Sequence, residues 1–109
     1  MITDERAEKA VEWIRDNAVE IAQARAEMVY LEEFRKSKRA MLIQEVKGTI
    51  QERESYAYSH KDYLEVLDGL KAAVGKYEEL KWRMVAAEAT IEAWRTQSST
   101  ARLEMRAVR

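Results

Sequence analysis

Proline and cysteine are absent from the 109 residues, and glycine occurs three times. Without proline, nothing forces a helix to kink or stop through a lost N–H donor or a ring clash. With so few glycines, tight turns are scarce as well. The lack of cysteine excludes a disulfide framework, a thiolate nucleophile and any cysteine metal site. There is one histidine, His60, so no His-containing metal set and no paired Glu-x-x-His pattern of a di-iron bundle can be assembled. No apolar run approaches the ~20 residues of a membrane span. The opening Met-Ile-Thr-Asp-Glu-Arg is too acidic and polar for a secretory signal, and a cytoplasmic protein is the expectation. A nucleophile elbow, a phosphate loop and a Gly-rich dinucleotide fingerprint are also missing. No catalytic, cofactor-binding or metal-binding residue is therefore expected, and the chain is read as a non-enzyme.

What is present is helix-forming. Charged residues make up 36% of the chain, against roughly 25% in soluble domains. Hydrophobic residues make up 47%, too many for a disordered composition. The net charge of -1 favours neither nucleic acid nor a membrane surface. The charge is uneven, however. Met1 to Glu33 holds nine acidic and four basic residues, and Arg95 to Arg109 holds four arginines against Glu104. If both ends lie side by side, these charges complement each other.

The pattern predicts a single all-α domain. A first helix over about 4–47 starts on Thr3, whose hydroxyl can cap an orphan amide, with Asp4 and Glu5 in the first turn. Its apolar stripe runs Ala7, Val11, Ile14, Ala18, Ile21, Ala24, Met28, Leu31, Phe34, Met41, with a gap at Ser37 and Lys38. Glu5–Lys9 and Glu32–Lys36 are ion pairs at i,i+4 spacing. Lys47 and Gly48 make a plausible stop. Thr49-Ile50-Gln51-Glu52 reads as a capping box opening a short helix over about 50–56. Ser59 then caps a last helix over about 60–107, with the polar cluster Thr96 to Thr100 as its weakest point. That helix carries the stripe Tyr63, Leu67, Leu70, Val74, Tyr77, Met84, Ala87, Ile91, Trp94, Ala101, Met105.

Folding the chain back at the connector pairs apolar with apolar. Phe34 meets Val74, Leu31 meets Tyr77, Ile21 meets Ala87, Trp13 and Ile14 meet Trp94, and Met41 meets Leu67. An antiparallel hairpin of two long helices follows. Two helices share only one seam, and apolar residues remain off it, so the hairpin is expected to assemble into an oligomeric helical bundle or coiled coil, a homodimer first of all. The residues expected on an oligomer or partner interface are Val29, Tyr30, Leu42, Ile43, Val66, Trp82 and Val85. A different protein supplying the missing helices is the alternative.

A second surface is chemically distinct. Arg35, Lys36, Lys38 and Arg39 form the densest basic run, and Lys47, Arg53, Tyr56 and Tyr58 lie close in sequence. Cations with nearby tyrosines could hold phosphates and stack bases of a single strand. A solvated helix face and a tyrosine-covered closed end explain the same residues without a ligand. His60 at a helix start is disfavoured as a cation by the dipole.

The blocks Tyr30-Leu31-Glu32-Glu33-Phe34-Arg35-Lys36, Glu52-Arg53-Glu54-Ser55-Tyr56-Ala57 and Ile91-Glu92-Ala93-Trp94-Arg95 resemble short all-helical proteins of tailed bacteriophages and prophages. The resemblance covers most of the chain and rests on composition and helical pattern, with no chemical motif. It implies a bacterial cytoplasm and a helper or regulatory role, since some such proteins sit among early genes for replication or recombination. It transfers no site residue. The function expected is thus that of a protein-interaction or assembly protein, with a nucleic-acid accessory and an inhibitor of a host defence enzyme as alternatives.

Overall fold

The computed structural model describes residues 1–108. Among these the chain is all-α, in the order α1 (Asp4–Gln44), α2 (Ile50–Ser59) and α3 (Lys61–Val108), an antiparallel hairpin of two long helices with a short one in the connector. It divides into two compact units, one built from Met1–Ile21 with Glu79–Arg109 and one from Ala22–Glu78. Arg109, counted in the basic C-terminal stretch, lies outside the described residues.

In the first unit the start of α1 runs along the end of α3. Thr3 caps α1, its Oγ1 accepting from Arg6 N–H at 3.1 Å, and Lys9 pairs with Glu5 at 3.1 Å. The N-terminal strand of backbone is tied to α3 reciprocally. Ile2 N–H donates to Gln97 Oε1 at 3.0 Å and Gln97 Nε2 donates to Ile2 O at 2.7 Å. Trp94 Nε1 donates to Asp4 Oδ1 at 2.7 Å. The cluster Thr96 to Thr100, expected as the weakest point of the last helix, is continuous helix, and its Gln97 pairs with both backbone groups of Ile2, just ahead of α1. Ala101 and Met105, placed on the seam by periodicity, are exposed, because α1 has already begun opposite Gln97. The expected complementarity between the two charged ends is not seen among the described residues: Arg95 pairs with Glu92 at 3.2 Å within its own helix.

In the second unit the end of α1, all of α2 and the start of α3 enclose the tightest packing. Leu42, Ala57 and Tyr63 are buried together, with Ile43, Tyr56 and Leu67 around them. Lys38 Nζ lies 3.5 Å from Asp62 Oδ2. Leu31 Cδ1 stands 3.9 Å from where a Cβ on Gly69 would be.

These contacts correct the expected register. Asp4 with Trp94, Ile2 with Gln97, Leu31 beside Gly69 and Lys38 with Asp62 are each displaced by about two to three helical turns from the expected partners. Trp94 consequently faces Asp4, while Trp13 lies with Ala86, Ala87 and Thr90. The seam on α1 also differs. The residues turned inward follow Ala7, Ala10, Ile14, Asn17, Ile21, Ala24, Met28, Leu31, Arg35, Lys38, Leu42, all buried or half-buried. Val11, Ala18 and Met41 are exposed. Asn17 is tolerated in the seam because its Nδ2 donates to Trp13 O at 2.8 Å.

The connector is built from caps. α1 ends at Gln44, three residues before Lys47, and Gly48 takes φ +143, a region open to glycine. A Cβ there would also run into the Glu52 carboxylate. The capping box forms: Glu52 N–H donates to Thr49 Oγ1 at 3.1 Å, and Thr49 N–H to Glu52 Oε2 at 3.4 Å. Ser59, expected to open α3, instead closes α2, with its hydroxyl donating to Ser55 O at 2.7 Å. His60 is the joint. Its N–H donates to Ala57 O, and its own carbonyl accepts from Leu64 N–H at 3.1 Å. Its Nδ1 accepts from Asp62 N–H at 3.0 Å. Lys36 pairs with Glu33 at 3.4 Å rather than with Glu32.

Candidate functional site

The basic run sits on α1 where the seam turns polar. Arg35 and Arg39 are one turn apart, so they reach the same side of the helix. α2 ends nearby with Tyr58 and α3 starts with Tyr63. Arg35, Lys36, Arg39, Tyr58 and Tyr63 together line a cavity of about 190 Å³. The Arg39 guanidinium stands 4.9 Å over the Tyr58 ring, and Tyr58 meets Tyr63 edge to face at 5.4 Å.

Most of this charge is already matched. Arg39 Nη2 donates to Glu54 Oε1 at 3.1 Å, Lys38 faces Asp62 and Lys36 faces Glu33. Arg35 has no carboxylate partner among the described residues. The Nε atoms of Arg35, Arg39 and Arg53 are buried without a hydrogen-bond partner. Of the eight residues expected to contact nucleic acid, four line the cavity: Arg35, Lys36, Arg39 and Tyr58. Lys38, Lys47, Arg53 and Tyr56 do not. Lys47 is exposed in the turn after α1, and Arg53 is half-buried on α2.

Tyr56 is engaged elsewhere. Its hydroxyl donates to Glu45 Oε2 at 3.0 Å, and its ring meets His60 edge to face at 5.3 Å. The hydrogen bond to the Glu45 carboxylate holds the phenol pKa above its ordinary value; burial and the charges of Glu45 and Asp62 act in the same direction. A pKa raised on folding means the contact favours the protonated phenol. Its contribution is complete below the usual phenol value of about 10 and is lost as pH rises through the higher folded value. In an ultraviolet titration of the five tyrosines, a late component is expected that Tyr56→Phe removes and Glu45→Gln moves to lower pH. A titration unchanged in both variants would contradict the contact.

The residues expected on an interface are not alike. Leu42, with 1% exposure, is the most buried large side chain of the second unit, so its place on an interface is corrected: it is core. The one-residue slip from Met41 to Leu42 follows from carrying the heptad through Arg35 and Lys38. Ile43 and Val66 are half-buried. Val29, Tyr30, Trp82 and Val85 are exposed. Tyr30 stacks on Phe34 at 5.8 Å, and the Lys81 ammonium stands 5.7 Å from the Trp82 ring.

One concavity escaped the sequence reading. Ala7, Val11, Ile91 and Trp94, with Asp4, Glu8, Glu12 and Arg15, line a groove of about 380 Å³ in the first unit. The i,i+4 series Asp4, Glu8, Glu12 beside Val11 was its available signal, hidden by assigning Val11 to the seam. Among the described residues no three His, Asp or Glu side chains come together as a metal set, and no helix is long and apolar enough to cross a membrane. No protein-family model matches the chain, and no curated protein or solved structure matches it at a significant level.

Proposed function

We propose that this chain is a non-catalytic interaction and assembly protein whose helices are completed by other helices, in the first instance those of a second copy. One observation carries the reading. Among the described residues the buried ones are Ala7, Ala24, Leu42, Ala57 and Tyr63, three of them alanines. Val19, Val29, Tyr30, Leu64, Trp82 and Val85 are meanwhile between 39% and 69% exposed. Ordering a residue costs about 1–2 kcal/mol of backbone entropy, and burial returns about 25 cal/mol per Å² of apolar surface. A single copy with so little buried volume is poorly matched against that cost, whereas covering its outer apolar side chains adds the missing term.

The resemblance to small phage proteins would make the role that of a helper or regulator in a bacterial cytoplasm, and that setting rests on the sequence blocks alone. Inhibition of a host enzyme is one form such a role could take. The nucleic-acid reading is favoured by the convergence of Arg35, Lys36, Arg39 and Tyr58 on one cavity. It is weakened by Glu33, Glu54 and Asp62, which neutralise Lys36, Arg39 and Lys38. Within the cavity, net phosphate attraction then falls mainly on Arg35.

Sedimentation equilibrium on the purified chain tests the first reading. A mass of two chains or more at micromolar concentration is expected. A monomer at every concentration, with amides protected throughout both units, would overturn it.

A further inference from the structure

α1 carries a second repeat, on the side away from its seam. Val19, Ala22, Ala26 and Val29 follow one another at steps of three, four and three, and all four are exposed. On the outer face of a helix these positions are ordinarily charged. The spacing belongs to α1 alone, which is one uninterrupted helix over Asp4–Gln44. The same steps continued outward reach Arg15 and Glu12 on one side and Glu33 and Lys36 on the other, again all exposed.

The order of residues along this stripe is the informative feature. Reversed end to end and laid on itself, valine falls on valine and alanine on alanine: Val19 opposes Val29, and Ala22 opposes Ala26. The flanking charges then oppose their opposites, Arg15 with Glu33 and Glu12 with Lys36. A parallel in-register pairing would put each of these charges against its like. From this we infer that the outer face of α1 is an isologous interface, on which a second copy docks antiparallel about a two-fold axis that passes midway between Ala22 and Ala26. Isologous contacts require a self-complementary patch, and this stripe is self-complementary in one direction only. The central alanines let the two backbones approach to the short end of the usual 8–10 Å interaxial range, and the charged ends fix direction and register. In the single copy Glu33 holds Lys36 at 3.4 Å, both side chains largely exposed. Such a surface pair contributes little and yields readily to partners across the axis.

This interface rests on the assembly reading above and specifies it, so the test separates the two. Sedimentation equilibrium is run on the intact chain and its variants, with helicity checked by circular dichroism. Ala26→Glu should leave the helices formed and give a monomer. Arg15→Glu alone, and Glu33→Arg alone, should each weaken the dimer about tenfold or more, since each places like charges at two symmetry-related contacts. The double exchange Arg15→Glu with Glu33→Arg should restore it to within about threefold of the parent. Because the chain has no cysteine, oxidation of a mixture of Val19→Cys and Val29→Cys chains should join one to the other, with little joining of either to itself. A dimer untouched by Ala26→Glu, or single exchanges that the double fails to repair, would overturn this interface while leaving assembly through another face standing. A monomeric parent chain would overturn both.

Discussion

Leu42→Ala is expected to remove about 2–5 kcal/mol from the stability of the second unit, the range for truncating a fully buried leucine. Leu42 has 1% exposure and packs with Ala57 and Tyr63 from two other helices, so neighbouring side chains have little freedom to collapse into the space. Domains of ordinary size hold about 5–15 kcal/mol in total, so the loss would shift the denaturation midpoint strongly. It would also free α2, whose buried anchor is Ala57. Denaturant melts and amide exchange in residues 50–59 measure this. Met41→Ala, one position away and exposed, should change stability by no more than about 0.5 kcal/mol. If the two substitutions cost the same, the register of α1 described above is wrong.

Tyr63→Ala is expected to cost about 3–5 kcal/mol, by analogy with buried aromatic truncations. The ring closes the Leu42–Ala57 cluster on one side and meets the Tyr58 ring on the other. Tyr63→Phe keeps the ring and should be close to neutral, since its hydroxyl makes no hydrogen bond among the described residues. The two alanine substitutions share one cluster, so their combined loss should differ from the sum by about 0.5 kcal/mol or more. Strict additivity in a double-mutant cycle would mean that Leu42 and Tyr63 do not share a core.

Much of the fold could be read from the sequence because its signals are local. Thr3 and Thr49 cap the helices they were expected to cap, Glu5 pairs with Lys9, and the absence of proline let both long helices run unbroken. The pairing register could not be read in the same way. A seam with a seven-residue repeat matches apolar to apolar again after a shift of one heptad, so the agreement of Leu31 with Tyr77 could not be told from its true position beside Gly69. Polar residues inside the seam completed the error. Asn17 satisfies itself on Trp13 O, and Lys38 finds Asp62, so both sit inward at positions that a search for apolar residues skips. That skip moved Ala18 and Met41 onto the seam and Leu42 off it, while Val11 was taken in place of the smaller Ala10.

The candidate surfaces show the same division. The basic run was visible as charge, but its neutralisation was not, because Glu54 and Asp62 come from α2 and α3 and meet Arg39 and Lys38 only after folding. The outer stripe of α1 was visible only in part. Val19, Ala22, Ala26 and Val29 are apolar residues off the expected seam, yet their symmetry with the flanking charges appears once the true inner face of α1 is known. Trp82 and Val85 on α3 are exposed as well.

The central claim is that one copy does not bury enough of itself. Its most direct test is the dependence of the denaturant midpoint on protein concentration. Association that stabilises the folded state raises that midpoint with concentration by mass action. A midpoint that climbs steadily across a hundredfold range of concentration is the predicted result, and a midpoint that stays fixed over that range would contradict the account.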